Sequence, residues 1–279
     1  MITNSAFGPQ DAGRDEGGHV WAPRWWAVFI IGLVLWVAAV AATYVTGDPM
    51  LLPTVVLLGS FLVPVTAVVW YLDHDPSVAL SPRRVVGAFI VAGVVGVLAA
   101  ALLEYYLVGR GLLGNLEVGF IEELIKAVLI VVVALGIRSF HIRDGMVLGA
   151  AVGFGFAALE SSGYALVSLF VVQGHLLILS LPSVVTTELI RGVLAPFAHG
   201  MWSAIIGGAI FAAARRRGHL RLSWGIVVAY VAMALLHAAF DTTGGIVGYV
   251  VVAVIGLVPL IWLWWRADGR VRTAQPVPA

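Results

Sequence analysis

The sequence predicts an all-α, polytopic membrane helix bundle of about eight transmembrane helices, and three observations carry that prediction. The chain of 279 residues is 61% hydrophobic and only 11% charged, with a mean hydropathy of +1.02, whereas a soluble domain carries about 25% charged residues. The apolar residues fall into blocks of about 20, the length a helix needs to cross a bilayer. Arginines concentrate in every second loop, as they do where a chain crosses a membrane back and forth.

Residues 1–22 are polar and Gly-rich and read as a disordered cytoplasmic N-terminus. Helices are expected at 25–46, 51–72, 85–108, 119–137, 145–171, 186–214, 224–242 and 246–265, forming one transmembrane domain over 23–266 with a cytoplasmic tail at 267–279. In the first block Ala39-Val40-Ala41 resembles a signal-peptide cleavage site, but the preceding region is long and acidic (Asp11, Asp15, Glu16), which favours a spanning helix. Pro49, Pro53, Pro76, Pro82 and Pro182 fall near helix ends, where proline is tolerated. Pro64 and Pro196 fall inside helices, and Pro196 predicts a kink one turn before His199. The arginine-bearing loops hold Arg83 and Arg84, then Arg138 and Arg143, then Arg215–Arg217 with Arg221. The tail adds Arg266, Arg270 and Arg272, and the intervening loops hold only Arg110. This alternation places both termini in the cytoplasm of a multi-pass cell-membrane protein.

Composition also excludes. The formal net charge is +1, and the basic runs flank apolar helices, so the expected partner is the lipid bilayer and not nucleic acid. With no cysteine, disulfides, a thiol nucleophile and Cys-ligated zinc are ruled out.

An ionisable side chain inside a membrane helix costs at least ~2.5–3.5 kcal/mol, so each is a functional candidate. The fourth to seventh expected helices carry nearly all of them: Glu122, Glu123 and Lys126; Glu160; Glu188, Arg191 and His199; His237 and Asp241. Sixteen residues separate Glu122 from Arg138, Asp144 from Glu160, His199 from Arg215, and Arg221 from His237. At 1.5 Å per residue each group lies about 24 Å above the arginine-rich boundary. In a hydrocarbon core about 30 Å thick, all four share one level near the outer face, the arrangement expected of a single site.

Spacing refines this. Lys126 lies three and four residues from the two glutamates and can neutralise one. Such neighbours should not titrate alike, leaving one as an ion and the other as a general acid or base. Glu188 and Arg191 can pair along one helix, and Asp241, four residues from His237, can orient that imidazole. A glutamate with two histidines also suits an open Zn²⁺ site, so metal-activated and carboxylate-activated water both stand, although no HExxH is present. Blander readings exist for single residues. Glu122-Glu123 fits a solvated helix start, and a lone histidine is often a packing residue. Glu104, beside Tyr105 and Tyr106, reads as interfacial, and His141, His175 and His219 as solvated loop residues. Trp25, Trp26, Trp262, Trp264 and Trp265 read as interfacial belts. A proton-coupled transporter or channel is the competing class, because Glu/His chains also relay protons.

Four segments resemble the motifs of the PrsW-type intramembrane proteases. Glu122-Glu123-Leu124-Ile125-Lys126 resembles EExxK, and Phe156-Ala157-Ala158-Leu159-Glu160 resembles FxxxE. His199-Gly200-Met201-Trp202 resembles the histidine-centred third motif and His237-Ala238-Ala239-Phe240-Asp241 the HxxxD fourth. The resemblance covers about 85–242 and reaches more distantly to the CAAX-protease and bacteriocin-processing superfamily. It implies an endopeptidase that cuts a membrane-anchored, single-pass protein of the anti-sigma-factor kind near the extracytoplasmic side. It implies Glu122, Glu123, Glu160, His199 and His237 as catalytic residues, with Lys126, Arg191, Trp202 and Asp241 in support. Candidate metal ligands are Glu160, His199 and His237; a zinc ion is one expectation and a metal-free glutamate–histidine mechanism the other.

Overall fold

The computed structural model describes residues 24–74, 80–109, 111, 113–194, 197–243 and 245–268. The expected N-terminal disorder and nearly all of the expected tail lie outside them. The bundle is predominantly helical. Helix α1 is Trp25–Thr46 and α2 is Leu52–His74. Helix α3 (Pro82–Val91) runs through a π-helical turn, Ala92–Gly96, into α4 (Val97–Leu107). Then come α5 (Gly114–Ala134), α6 (Ile142–Ser168), α7 (Leu181–Leu194), α8 (His199–Arg217), α9 (Trp224–Thr242) and α10 (Ile246–Asp268).

Seven stretches among the described residues are long and apolar enough to cross a membrane. Helix α5 corresponds to the remaining expected helix and is not among the seven; Glu117, Glu122, Glu123 and Lys126 set it apart in composition. It begins at Gly114, five residues before the sequence places it, so Glu122 and Glu123 sit two turns inside the helix and are buried, not at a solvated start.

Two further departures have local causes. The expected helix at 186–214 is two helices, with α7 ending at Leu194 and α8 beginning at His199. Pro196, where the sequence predicts a kink, lies outside the described residues. Ala198 has a non-helical backbone (φ −116°, ψ −114°), and His199 falls on the first turn of α8. Between α6 and α7 the chain forms an antiparallel hairpin, β1 (Phe170–Gln173) with β2 (Leu176–Leu179), pairing Gln173 with Leu176. Gly174 opens its two-residue turn at φ +61°, a conformation glycine adopts without steric cost. Both strands are apolar on each face and largely exposed, so no alternation reveals them in the sequence.

Helix α6 is the hub. Its glycines at 145, 149 and 153 recur every fourth residue, on one face of a helix. A Cβ on any of them would strike a backbone carbonyl of α8, at Gly207, Ser203 and His199 respectively. On the other side, a Cβ at Gly155 would strike the Phe89 carbonyl of α3. Small residues are how membrane helices bring their backbones together when burial against lipid supplies little drive. Helices α1 and α10 stay at the periphery, mostly facing outward.

Gly149→Val should therefore lower the unfolding midpoint of the protein in detergent by the upper end of the ~1–3 kcal/mol that overpacking costs, because a backbone cannot yield. Gly87→Ala in α3, where no atom lies within 4 Å of the added carbon, should leave it unchanged or raise it slightly.

Candidate active site

Six consecutive helices, α4 to α9, each present one ionisable side chain to a single cavity of about 380 Å³: Glu104, Glu122, Glu160, Arg191, His199 and Asp241. Beneath its wall lies Lys126, fully buried on α5. Its Nζ is 3.1 Å from Glu122 Oε2, 2.8 Å from Glu123 Oε1 and 2.7 Å from His199 Nδ1, with the Phe156 ring centroid at 4.3 Å. Three ammonium hydrogens thus meet three acceptors, and spacings of three and four residues bring the two glutamates to it.

That contact assigns the His199 tautomer. An ammonium only donates, so Nδ1 accepts and the ring proton is on Nε2. Nε2 lies 2.9 Å from Glu160 Oε2 and donates to it. Glu160 also accepts from Arg191 Nη2 at 2.7 Å, while Arg191 Nε donates to Ser161 Oγ at 2.7 Å. The guanidinium carbon stands 4.2 Å from the Tyr164 ring centroid. Arg191 is thus tied to three residues of α6.

His237 is held from two sides. Its Nδ1 is 2.9 Å from Glu123 Oε1, and its Nε2 faces Asp241 Oδ2 at 3.3 Å and Glu122 Oε2 at 3.7 Å. Trp202 stacks on it, with centroids 4.8 Å apart, and meets His199 edge-on at 5.5 Å. A fully buried indole against both imidazoles limits their rotation.

The structure thus brings together Glu122, Glu123, Lys126, Glu160, Arg191, Trp202, His199, His237 and Asp241, with one expected pair exchanged and one extended. Arg191 pairs with Glu160 and not with Glu188: α7 packs against both α2 and α6, and Arg191 reaches the α6 carboxylate. Glu188 instead accepts from Trp36 Nε1 of α1 at 2.8 Å, against Gly59 of α2, where any Cβ would collide with its carboxylate. His237 keeps the expected Asp241 partner, at Nε2, and gains Glu123 at Nδ1. Glu104 lines the cavity instead of remaining purely interfacial. The sequence reading missed Ser161, Tyr164, Asn115 and Tyr249 in the lining. Tyr164, four residues after Glu160 on the same face, was the one with a spacing signal.

Residues 80–264, two thirds of the chain, match the family described as PrsW family intramembrane metalloprotease. The chain belongs to the PrsW family. It is an intramembrane peptidase of that family, as the four motif-like segments imply. No curated protein and no solved structure matches it significantly.

The metal in that family description can be tested against the donors. Glu122, His199 and His237 offer ligand atoms within 4.8 Å of one another, the one such buried group among the described residues. One carboxylate and two imidazoles suit a three-ligand zinc site, and Glu123 on His237 Nδ1 is the outer carboxylate such histidines usually have. The set fits, provided His199 releases Lys126 or Glu160, which hold its two nitrogens. Glu160, expected among the ligands, is outside the group and is held by Arg191.

Lys126→Met in this PrsW-family chain would leave two buried carboxylates without their shared cation. Breaking a buried ion pair costs ~3–5 kcal/mol, so the variant should unfold at much lower denaturant than wild type in micelles, as followed by circular dichroism.

Proposed function

We propose that the chain hydrolyses a peptide bond of a membrane-anchored, single-pass protein of the anti-sigma-factor kind, near the extracytoplasmic face, with Glu122 as general base. The observation that carries this reading is the asymmetry of the glutamate pair. Glu122 lines the cavity, whereas Glu123 is fully buried behind it, bound to Lys126 and His237. A base must reach the water it deprotonates, and only Glu122 does.

In this mechanism the Glu122 carboxylate takes a proton from a water in the cavity as the oxygen attacks the scissile carbonyl carbon. Arg191, at the cavity wall and oriented by Glu160, is the donor placed to meet the developing oxyanion. Glu122 then delivers its proton to the departing amide nitrogen, so one water and one amide give a carboxylic acid and an amine. Lys126 and Glu123 do not touch substrate; they fix the positions of Glu122, His199 and His237. A divalent ion held by Glu122, His199 and His237 would supply Lewis acidity toward the water and carbonyl, with Glu122 then acting as its ligand in place of the base.

The depth of the groups supports cleavage toward the extracytoplasmic side, with both termini cytoplasmic in the cell membrane. A proton-coupled transporter would need titratable groups at successive depths. Here they cluster around one cavity, and beyond Asp144 in its first turn the arginine-rich half of α6 buries glycine, alanine and apolar side chains.

With a tagged single-pass substrate co-reconstituted in vesicles, Glu122→Gln should cut the cleavage rate by about 10²–10⁴-fold. Full activity in Glu122→Gln overturns Glu122 as base. Equilibrium dialysis with zinc gives an independent readout: wild type should retain one ion per chain and His237→Gln should bind at least tenfold more weakly. Equal binding by the two would place any ion elsewhere.

A further inference from the structure

At the arginine-rich end of the bundle lies a second polar cavity, of about 370 Å³, between α8, α9 and α10 and remote in sequence from the peptidase site. Arg215, Arg216 and Arg217 from the end of α8 line it together with Arg266 of α10. Arginines at this boundary ordinarily anchor helices by reaching into the headgroup layer, and at a helix C-terminus they complement the dipole. Neither role requires convergence. Consecutive helical residues project about 100° apart, yet all three line one concavity and face a fourth arginine from another helix. No carboxylate is among the described residues that line it.

The rest of the lining has a different character. Ala209, Ala212 and Leu263 form an apolar floor, and Trp262 forms a wall beneath Arg266, whose guanidinium carbon is 4.9 Å from its ring centroid. The first turn of α9 closes the rim, where Ser223 makes no side-chain capping bond to the helix it precedes. A cluster of guanidinium groups suits a phosphodiester, which it can grip with paired hydrogen bonds. An apolar slot directly below, at the edge of the hydrocarbon, suits an acyl chain.

We infer that this cavity binds an anionic glycerophospholipid of the adjoining leaflet, its phosphate among Arg216, Arg217 and Arg266 and an acyl chain along the alanine floor. A zwitterionic lipid brings its own cation against the arginines and is disfavoured. The inference does not depend on the peptidase mechanism.

The test uses the full chain reconstituted in phosphatidylcholine vesicles containing brominated lipid, with tryptophan emission as readout, since Trp224 and Trp262 line the cavity. Brominated phosphatidylglycerol should quench half of the accessible emission at about fivefold lower mole fraction than brominated phosphatidylcholine, the scale of one or more arginines near an anionic surface. R216Q/R217Q should reduce that preference to near unity, while R216K/R217K keeps most of it. If the glutamine pair lowers the unfolding midpoint, R266Q is read in its place. Equal quenching by the two lipids, or a preference unchanged in the glutamine variants, overturns the site. Inorganic phosphate, compared with chloride at equal ionic strength, should leave the preference intact. Its loss to phosphate would overturn the lipid assignment in favour of a free-phosphate site.

Discussion

The rest of the site depends on one buried cation. Lys126 has no access to solvent, and its ammonium touches two carboxylates and an imidazole within 3.1 Å. An isolated ammonium or carboxylate in low dielectric is costly enough to forbid the fold, so these groups are stable only as a set. That requirement fixes the rotation of α5, directs Nδ1 of His199 inward, and turns Nε2 of the same ring to Glu160. Glu123 in turn holds His237. Ionisable side chains that face one cavity are therefore oriented by two fully buried ones that do not.

The backbone packing that permits this is of another kind. The ionic cluster needs α6 and α8 close together, so that Glu160 and His199 meet at 2.9 Å. The glycines at 145, 149 and 153 remove the side chains that would hold the two helices apart. Helix α7 then reaches the same cluster from outside through Arg191, while its Glu188 attaches it to Trp36 of α1. A short helix flanked by a hairpin and a break is thereby fixed at two points, by one polar contact to α6 and one to α1.

Much of this was legible in the sequence. Hydropathy and arginine alternation implied eight crossings, because the bilayer imposes one length and one requirement on every spanning segment. The site's residues stood out because charge in such segments is rare, and counting from the boundaries placed Glu122, Glu160, His199 and His237 at one level. The hairpin at 170–179 was not legible, since strands apolar on both faces lack the alternation that marks a half-buried strand. Nor was the early start of α5, whose first turns carry no capping side chain.

The sequence by itself determined the class of molecule, the helices that carry the chemistry and the residues available for it, because these follow from hydrophobic length and from the cost of buried charge. Only the tertiary structure decided who holds whom: Arg191 with Glu160 and not Glu188, Glu123 joining Asp241 on His237, and Glu122 rather than its neighbour at the cavity. Adjacent residues on a helix project about 100° apart. Which of two neighbouring glutamates faces water therefore depends on how the helices rotate against one another, and that is settled by packing partners far away in the chain.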